Sequence, residues 1–336
     1  MTSLFVIIAL FFIIYFSKSS KSDKNSSFLG RESNQCFRGL LALLIVFHHV
    51  CKYYEFPFSS EGGAYGITVV GLFFFFSGYG LMKQYAIKGN VYCNGFLIKR
   101  TKKLLPSFLI ISVLSIIAEN LTGLKILETG WGGNVGFIIV PNSWYVYVLF
   151  FYYIAFVLSC RILNESHKIV YMLLGATIVL IVFTTLIGLG DWWWKSSFAF
   201  NVGTSLPLIE KKYENRIDVI KEKKIVFIIF GLLAICAIPN IFELSYQKVR
   251  SLLMIMLTTL LPIYLYVIFR KIDFVKNKAL HFLGAMSYEI YLVHGIILIL
   301  VSNLLPEKSP MQCVIIIYLV TFIISWPISR ISKLVK

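Results

Sequence analysis

Long apolar runs recur along the whole chain, with short polar segments between them. About 17 to 25 apolar residues are enough for a helix to cross the hydrocarbon core of a bilayer. Only 14% of the residues are charged and 58% are hydrophobic, whereas a soluble domain has about 25% charged residues. The sequence therefore predicts an all-α fold, a polytopic transmembrane helical bundle.

We predict about eleven spans in this bundle. The seventh is the weakest, because its NVGTSLP stretch is polar and should break the helix. The spans are residues 3–17, 37–53, 64–85, 103–118, 143–162, 168–189, 192–210, 224–242, 250–270, 282–301 and 311–329.

The first span differs from a signal peptide. No positive charge precedes it and no small-residue cleavage site follows it, whereas four basic residues come directly after it. We therefore predict a retained anchor. The organisation is an amino-terminal anchor with a basic cytoplasmic loop at 1–36, a ten-helix membrane core at 37–329, and a short cytoplasmic tail at 330–336.

Basic residues fall mainly on one side of the predicted membrane. With residue 1 outside, the inner segments hold 26 of the 32 Lys and Arg residues, and such an excess is typical of cytoplasmic loops. The pattern predicts a multi-pass plasma membrane protein with its amino terminus outside and its carboxyl terminus in the cytoplasm. The net charge of +16 then reflects topology and contact with anionic membrane lipids, and not nucleic-acid binding.

The six cysteines form no C-x-x-C pair and no spacing suited to a metal. We interpret them as small apolar side chains. No metal site is predicted.

The second span carries ionisable residues at both ends. Arg38 and His49 are eleven residues apart, which places them about 20° apart around a helix and about 16 Å apart along it. His48 lies about 80° to the side. Polar residues inside a span face the bundle interior and are functional candidates; the alternative is that each histidine only bonds a neighbouring helix, and this alternative is stronger for His48.

The tenth span contains a second polar group. Glu289 is the one acid well inside a predicted span, and His294 lies at a depth similar to that of His49. Glu289 could orient His49, pair with a basic residue, or bond a tyrosine. The remaining histidines, His167 and His281, fall in inner loops where a solvated role is expected.

Two further segments suggest a ligand path. Residues 96–108 place several Lys and Arg residues at the inner mouth, which fits either the positive-inside rule alone or a site for a polyanion such as phosphate. Residues 71–82 form an aromatic run that ends in Ser77 and two glycines, where a helix or a slender ligand could approach the backbone.

Five motifs in order resemble the acyltransferase-3 family of integral membrane O-acyltransferases. Each is short and apolar, but their order and spacing together are fairly specific, and they cover roughly residues 37–329. The motifs are RGLLALLIVFHH, GLFFFFSGYGLM, KRTKKLLP, SWYVYVLFFYY and SYEIYLVH.

The resemblance implies transfer of an acyl group, commonly acetyl, from cytoplasmic acyl-CoA to a hydroxyl of a carbohydrate at or outside the membrane. By position, the catalytic histidine falls on His49 and the amino-terminal arginine on Arg38. The basic motif falls on Arg100 and Lys103. Gly71 departs from the family pattern, because many relatives have a carboxylate shortly before the aromatic run, so Glu289 is the acid that could assist the histidine here.

These residues predict one layout. Arg38, Arg100 and Lys103 would hold the phosphates of acetyl-CoA, with Ser77 and Tyr291 along the donor path. A neutral imidazole at the end of that path would act as general base. The expected partners are acyl-CoA, a cell-surface or lipid-linked carbohydrate such as capsule or exopolysaccharide, and membrane lipids; a homodimer stays open.

Two other classes of protein fit parts of the pattern. A transporter or polysaccharide flippase would also have many spans and buried ionisable residues, and would favour broken helices paired in two halves. A sensory or scaffold membrane protein would not need Arg38 and His49 in line.

Overall fold

The computed structural model describes residues 29–55, 65–127, 140–213, 247–269 and 277–334. All regular secondary structure in these ranges is helical. The long helices are α1 (Arg31–Tyr53), α2 (Gly66–Lys88), α3 (Phe96–Thr122), α4 (Trp144–Ile162), α5 (Ser166–Leu186), α7 (Phe198–Tyr213), α8 (Gln247–Phe269), α10 (Ser287–Leu304) and α11 (Pro310–Leu334), and the short ones are α6 (Trp192–Lys195), α9 (Lys278–Gly284) and a 3-10 turn at Gly89–Cys93.

The described helices confirm the predicted fold class. Seven of them, α1 to α5 with α10 and α11, are long and apolar enough to cross a membrane. The predicted spans at 3–17 and 224–242 lie outside the described residues.

The seventh predicted span consists of two helices. The chain bends at Ser196 and Ser197 between α6 and α7, whereas the NVGTSLP stretch continues as helix. Thr204 and Ser205 donate hydrogen bonds to the Asn201 carbonyl at 2.9 Å and 2.8 Å, so their hydroxyl groups are satisfied inside the helix itself. The prediction that this polar stretch breaks the helix was therefore wrong.

The fourth predicted span, at 103–118, begins earlier than predicted. Gly95 takes a left-handed conformation, with φ of 66°, and α3 starts directly after it at Phe96. Phe96, Arg100 and Lys103 consequently lie on one face of the first two turns, because residues four and seven positions apart face the same side of a helix. The basic motif is therefore held by a helix instead of a loop.

Close packing of α2 against α7 depends on two glycines. A Cβ atom on Gly78 would lie 2.4 Å from the Phe200 carbonyl oxygen, and one on Gly203 would lie 2.3 Å from the Phe75 carbonyl oxygen. Small residues let membrane helices approach backbone to backbone. This confirms that the small residues after the aromatic run admit another helix.

Aromatic side chains fill the centre of the bundle between α2, α4 and α7. Phe74, Phe75 and Phe76 are fully or almost fully buried. Tyr152 of α4 stacks on Phe200 of α7 with ring centroids 4.2 Å apart. This core keeps α4 beside α2, and so positions the residues at the start of α4.

The structure pairs two of the cysteines. Cys93, at the end of the 3-10 turn, and Cys160, in the last turn of α4, form a disulfide across 67 residues of chain. Cys36, Cys51 and Cys313 are buried, as expected of small apolar side chains. The interpretation of all six as apolar fillers was wrong for this pair, because cysteines distant in sequence reveal no pairing before the helices are packed.

Two observations about sidedness point in opposite directions. The basic end, defined as the end of the bundle that carries Arg38, Arg100 and Lys103, has the charge excess of a cytoplasmic face. The Cys93–Cys160 disulfide lies at this same end, and disulfides are rare in the reducing cytoplasm. The charge bias involves 26 of the 32 Lys and Arg residues, whereas the disulfide is a single observation, so we keep the predicted orientation.

Sidedness can be measured with an impermeant thiol reagent on intact cells. In a background without native cysteines, Glu307→Cys, exposed between α10 and α11, should be labelled. Asn94→Cys, exposed just before α3, should be labelled only after the membrane is opened. Labelling of Asn94→Cys alone on intact cells would reverse the orientation and would place the disulfide in an oxidising compartment.

Candidate active site

Helix α1 holds Arg38 and His49 on one continuous face. It runs unbroken from Arg31 to Tyr53, so the predicted separation of about 16 Å along the axis applies. His49 is partly accessible, whereas its neighbour His48 is 6% exposed. Neither ring nitrogen of His49 has a hydrogen-bond partner within the described ranges.

His48 connects α1 to the start of α2. Its Nδ1 accepts a hydrogen bond from the Gly66 backbone N–H at 3.1 Å. A Cβ atom at residue 66 would lie 2.1 Å from Nε2 of His48, so the ring lies directly against the glycine. The buried ring satisfies a donor at a helix terminus that has no partner inside its own helix. This contact is the structural role that the sequence favoured for His48.

A second histidine faces His49 from α10. The ring centroids of His49 and His294 are 5.0 Å apart, and those of His48 and His49 are 4.6 Å apart. His294 is 1% exposed, and its Nδ1 lies 3.2 Å from the Ile290 carbonyl oxygen. The structure therefore brings together the two histidines that the sequence placed at similar depth.

Glu289 faces a different helix. Its Oε1 accepts a hydrogen bond from Ser107 of α3 at 2.7 Å. Glu289 and His294 are five residues apart, which turns them about 140° from each other around α10. No hydrogen bond or ion pair joins Glu289 to His49 in the part of the chain that the structure describes, so the predicted help from this acid has no contact to support it and stays a prediction.

A pocket opens at the basic end. It contains all five residues that the sequence assigned to the donor: Arg38, Ser77, Arg100, Lys103 and Tyr291. Its other lining residues are Phe73, Leu104, Tyr145, Leu149, Tyr153, Ser287 and Tyr288. Among the described residues, the lining thus has three cationic side chains and no carboxylate, which suits an anionic ligand.

Aromatic rings hold Arg100 at the pocket wall. Its guanidinium lies 5.1 Å from the centroid of Phe96 and 5.3 Å from that of Tyr153. One Nη donates a hydrogen bond to the Tyr92 hydroxyl at 3.3 Å. A guanidinium held against aromatic rings keeps a fixed orientation, so its remaining N–H groups can face a ligand in a defined direction.

Arg38 also lines the pocket. Its Nε is buried and has no hydrogen-bond partner within the described part of the chain. A buried donor without a partner costs stability, and a ligand in the pocket would be placed to satisfy it. Lys103 is exposed at the mouth.

The pocket leads towards the histidines along α10. Ser287, Tyr291 and His294 are spaced by four and three residues and share one face of that helix. Ser287 and Tyr291 line the pocket, and the Tyr291 ring centroid is 5.9 Å from that of His294. The Tyr291 hydroxyl also bonds the Asn142 carbonyl just before α4. This face of α10 therefore connects the pocket to the pair of His294 and His49.

The sequence did not single out the tyrosines of α4. Tyr145, Leu149 and Tyr153 all line the pocket. They are four residues apart and so lie on one helix face, and that regular spacing was the available signal.

Gly71, the position that departs from the family pattern, faces Thr258 and Ala199.

A family model described as an acyltransferase domain, Acyl_transf_3, matches residues 34–330. The chain belongs to the acyltransferase-3 family. The match confirms the resemblance carried by the five motifs and identifies the chain as a multi-pass membrane acyltransferase. No curated protein and no solved structure matches it. Across the described segments, no group of three or more His, Cys, Asp or Glu side chains could hold a metal ion.

The two neighbouring histidines of this acyltransferase should respond differently to substitution. His48→Ala should lower the thermal midpoint, because the buried Gly66 N–H loses its acceptor at a cost of about 1 to 3 kcal/mol. His48→Asn should restore much of it, since the amide oxygen can replace Nδ1. His49→Ala should leave the midpoint near normal and reduce turnover about 100-fold to 10,000-fold.

These outcomes are measured on purified protein, as melting in detergent and as release of CoA from acetyl-CoA. The assignment would be reversed if His48→Ala were inactive with a normal midpoint while His49→Ala stayed active. His48 would then be the base and His49 the structural residue.

Proposed function

We propose that this acyltransferase moves an acyl group, with acetyl as the expected one, from cytoplasmic acyl-CoA to a hydroxyl of a carbohydrate, with His49 as the general base. The observation that carries the proposal is the pocket at the basic end. Its described lining has three cations and no carboxylate, and a face of α10 leads from it to the histidines.

Acyl-CoA fits the chemistry of this pocket. Its phosphates carry several negative charges, which Arg38, Arg100 and Lys103 could neutralise, and arginine is suited to bind phosphate through two parallel hydrogen bonds. Its pantetheine arm is slender enough to pass between helices. The axial distance from Arg38 to His49, about 16 Å, is of the order that such an arm spans.

The reaction needs one proton to be moved twice. The neutral His49 imidazole takes the proton of the acceptor hydroxyl as its oxygen attacks the thioester carbonyl carbon. The tetrahedral intermediate then collapses, the carbon–sulfur bond breaks, and the imidazolium returns the proton to the leaving sulfur of CoA. The products are an ester and free CoA, and His49 is neutral again.

The carbohydrate acceptor rests on the family resemblance and on the predicted orientation. With the basic end in the cytoplasm, the donor enters from the side where CoA is made, and His49 lies towards the opposite face. The acceptor would then be a cell-surface or lipid-linked glycan, such as capsule or exopolysaccharide, reached from the outer side of the plasma membrane. The match to an acyltransferase family gives no support to the transporter alternative.

The donor site is tested by two substitutions on neighbouring residues. Arg100→Ala should raise KM for acetyl-CoA by about 10-fold to 100-fold, since a hydrogen bond to a charged group contributes about 1.5 to 3 kcal/mol. Lys99→Ala removes the same charge from the preceding position, which is exposed and does not line the pocket. It should leave KM unchanged.

Equal effects of the two variants would reduce Arg100 to part of the basic cytoplasmic face.

Mass spectrometry of the cell-surface glycan tests the acceptor. Ester-linked acyl groups should disappear on deletion of the gene and should return with the wild-type chain but not with His49→Ala.

A further inference from the structure

His294 is a buried ionisable residue to which the mechanism above gives no role. Its side chain lies on α10, one residue before the glycine that packs against Pro141 and Asn142. Its ring contacts those of His49 and Tyr291, at centroid distances of 5.0 Å and 5.9 Å. It therefore lies between the end of the donor pocket and the proposed base.

The tautomer of His294 follows from its hydrogen bond. Nδ1 lies 3.2 Å from the Ile290 carbonyl oxygen, and a carbonyl oxygen can only accept, so Nδ1 carries the hydrogen. Nε2 of the neutral ring must then present a lone pair. That atom is buried and has no hydrogen-bond partner in the ranges that the structure describes. A buried acceptor without a donor is uncommon and calls for an explanation.

Within the described residues, no acid forms a hydrogen bond or ion pair with His49. The ionisable groups that act on it electrostatically there are His48 and Lys52 of α1 and His294 of α10. Glu289 is turned towards Ser107. Among the described residues, an imidazolium that forms at His49 during the reaction would have basic or neutral groups beside it, and the His294 lone pair is an acceptor defined by its hydrogen bonding.

We propose that His294 is a positioning residue for His49, and that its Nε2 accepts a hydrogen bond from one ring N–H of the base. The inference rests on the proposed role of His49. The bond would hold the second His49 nitrogen as the free lone pair that faces the acceptor hydroxyl. After proton transfer, the same bond would stabilise the imidazolium until its proton passes to the CoA sulfur.

The geometry needed for this bond is within reach. The two rings are in contact but inclined by 39°, and His49 has no other hydrogen bond in the described structure to hold its ring. The proposed bond requires the His49 side chain to rotate so that an N–H faces Nε2 of His294. Hydrogen bonds of catalytic groups are often loose before substrate binds and tighten in the substrate complex.

The test compares two replacements of His294 in the full-length protein, with acetyl-CoA as donor and water as acceptor. His294→Phe keeps a ring but removes the acceptor, and should lower kcat for CoA release by about 10-fold to 100-fold, the effect of one hydrogen bond to a charged group. KM for acetyl-CoA should not change. His294→Gln, whose amide oxygen can occupy the place of Nε2, should recover most of kcat.

Three results would overturn the inference. One is normal kcat in His294→Phe. Another is equal loss in the Phe and Gln variants. The third is a loss that appears only with a lowered thermal midpoint and weaker donor binding, as for a structural residue.

His49→Ala separates this inference from the proposed function. If His49→Ala is inactive while His294→Phe is normal, only the role of His294 fails. If His49→Ala retains full turnover, the proposed base is wrong, and the role of His294 fails with it.

Discussion

A polar or ionisable side chain inside a membrane bundle must find its partners within the protein, because the lipid offers none. This requirement accounts for the arrangement around α1. His48 is bonded to the start of α2, Glu289 is bonded to α3, and Arg100 lies against two aromatic rings. The groups left with unused hydrogen-bonding capacity in the described structure include Arg38 Nε and His294 Nε2, and both lie along the proposed reaction path.

The path depends on two helices that run side by side in the same direction. Helix α1 carries Arg38 at the pocket and His49 near its other end, while α10 carries Ser287 at the pocket and His294 beside His49. A rigid helix keeps such groups at a constant spacing, which is a condition for holding donor and base in register. Gly78 of α2 and Gly203 of α7 let these two helices pack closely. This packing supports the part of the pocket wall that α2 forms.

The site separates binding from chemistry. Cations collect at one end, where they can bind phosphate in contact with water, and the two histidines lie deeper, beside apolar and aromatic side chains. Low polarity around a base strengthens each electrostatic interaction that it makes. For the proposed base His49, a neighbouring hydrogen-bond acceptor would therefore matter more than it would at a surface.

Much of the fold and of the candidate site was predictable from patterns within single segments of the sequence. The apolar runs determine the helices, because burial in lipid requires long apolar helices whatever their neighbours are. The eleven-residue spacing of Arg38 and His49 determines their shared face, and the pocket contains each residue that the sequence assigned to the donor. The sequence predicts a later start for α3 and a break in α7, because positive charge and polar residues are typical of loops. Both predictions were wrong, because these side chains are satisfied on the helix surface.

The sequence by itself determined the membrane class, the helix faces and the family, since these depend on composition, periodicity and motif order within single segments. Only the tertiary structure decided which faces meet. It turned Glu289 towards Ser107, brought His294 beside His49, joined Cys93 to Cys160 and placed Arg100 against Tyr153. Each of these contacts joins residues from different helices or turns, and their mutual rotation is set by packing between elements, which no single segment encodes.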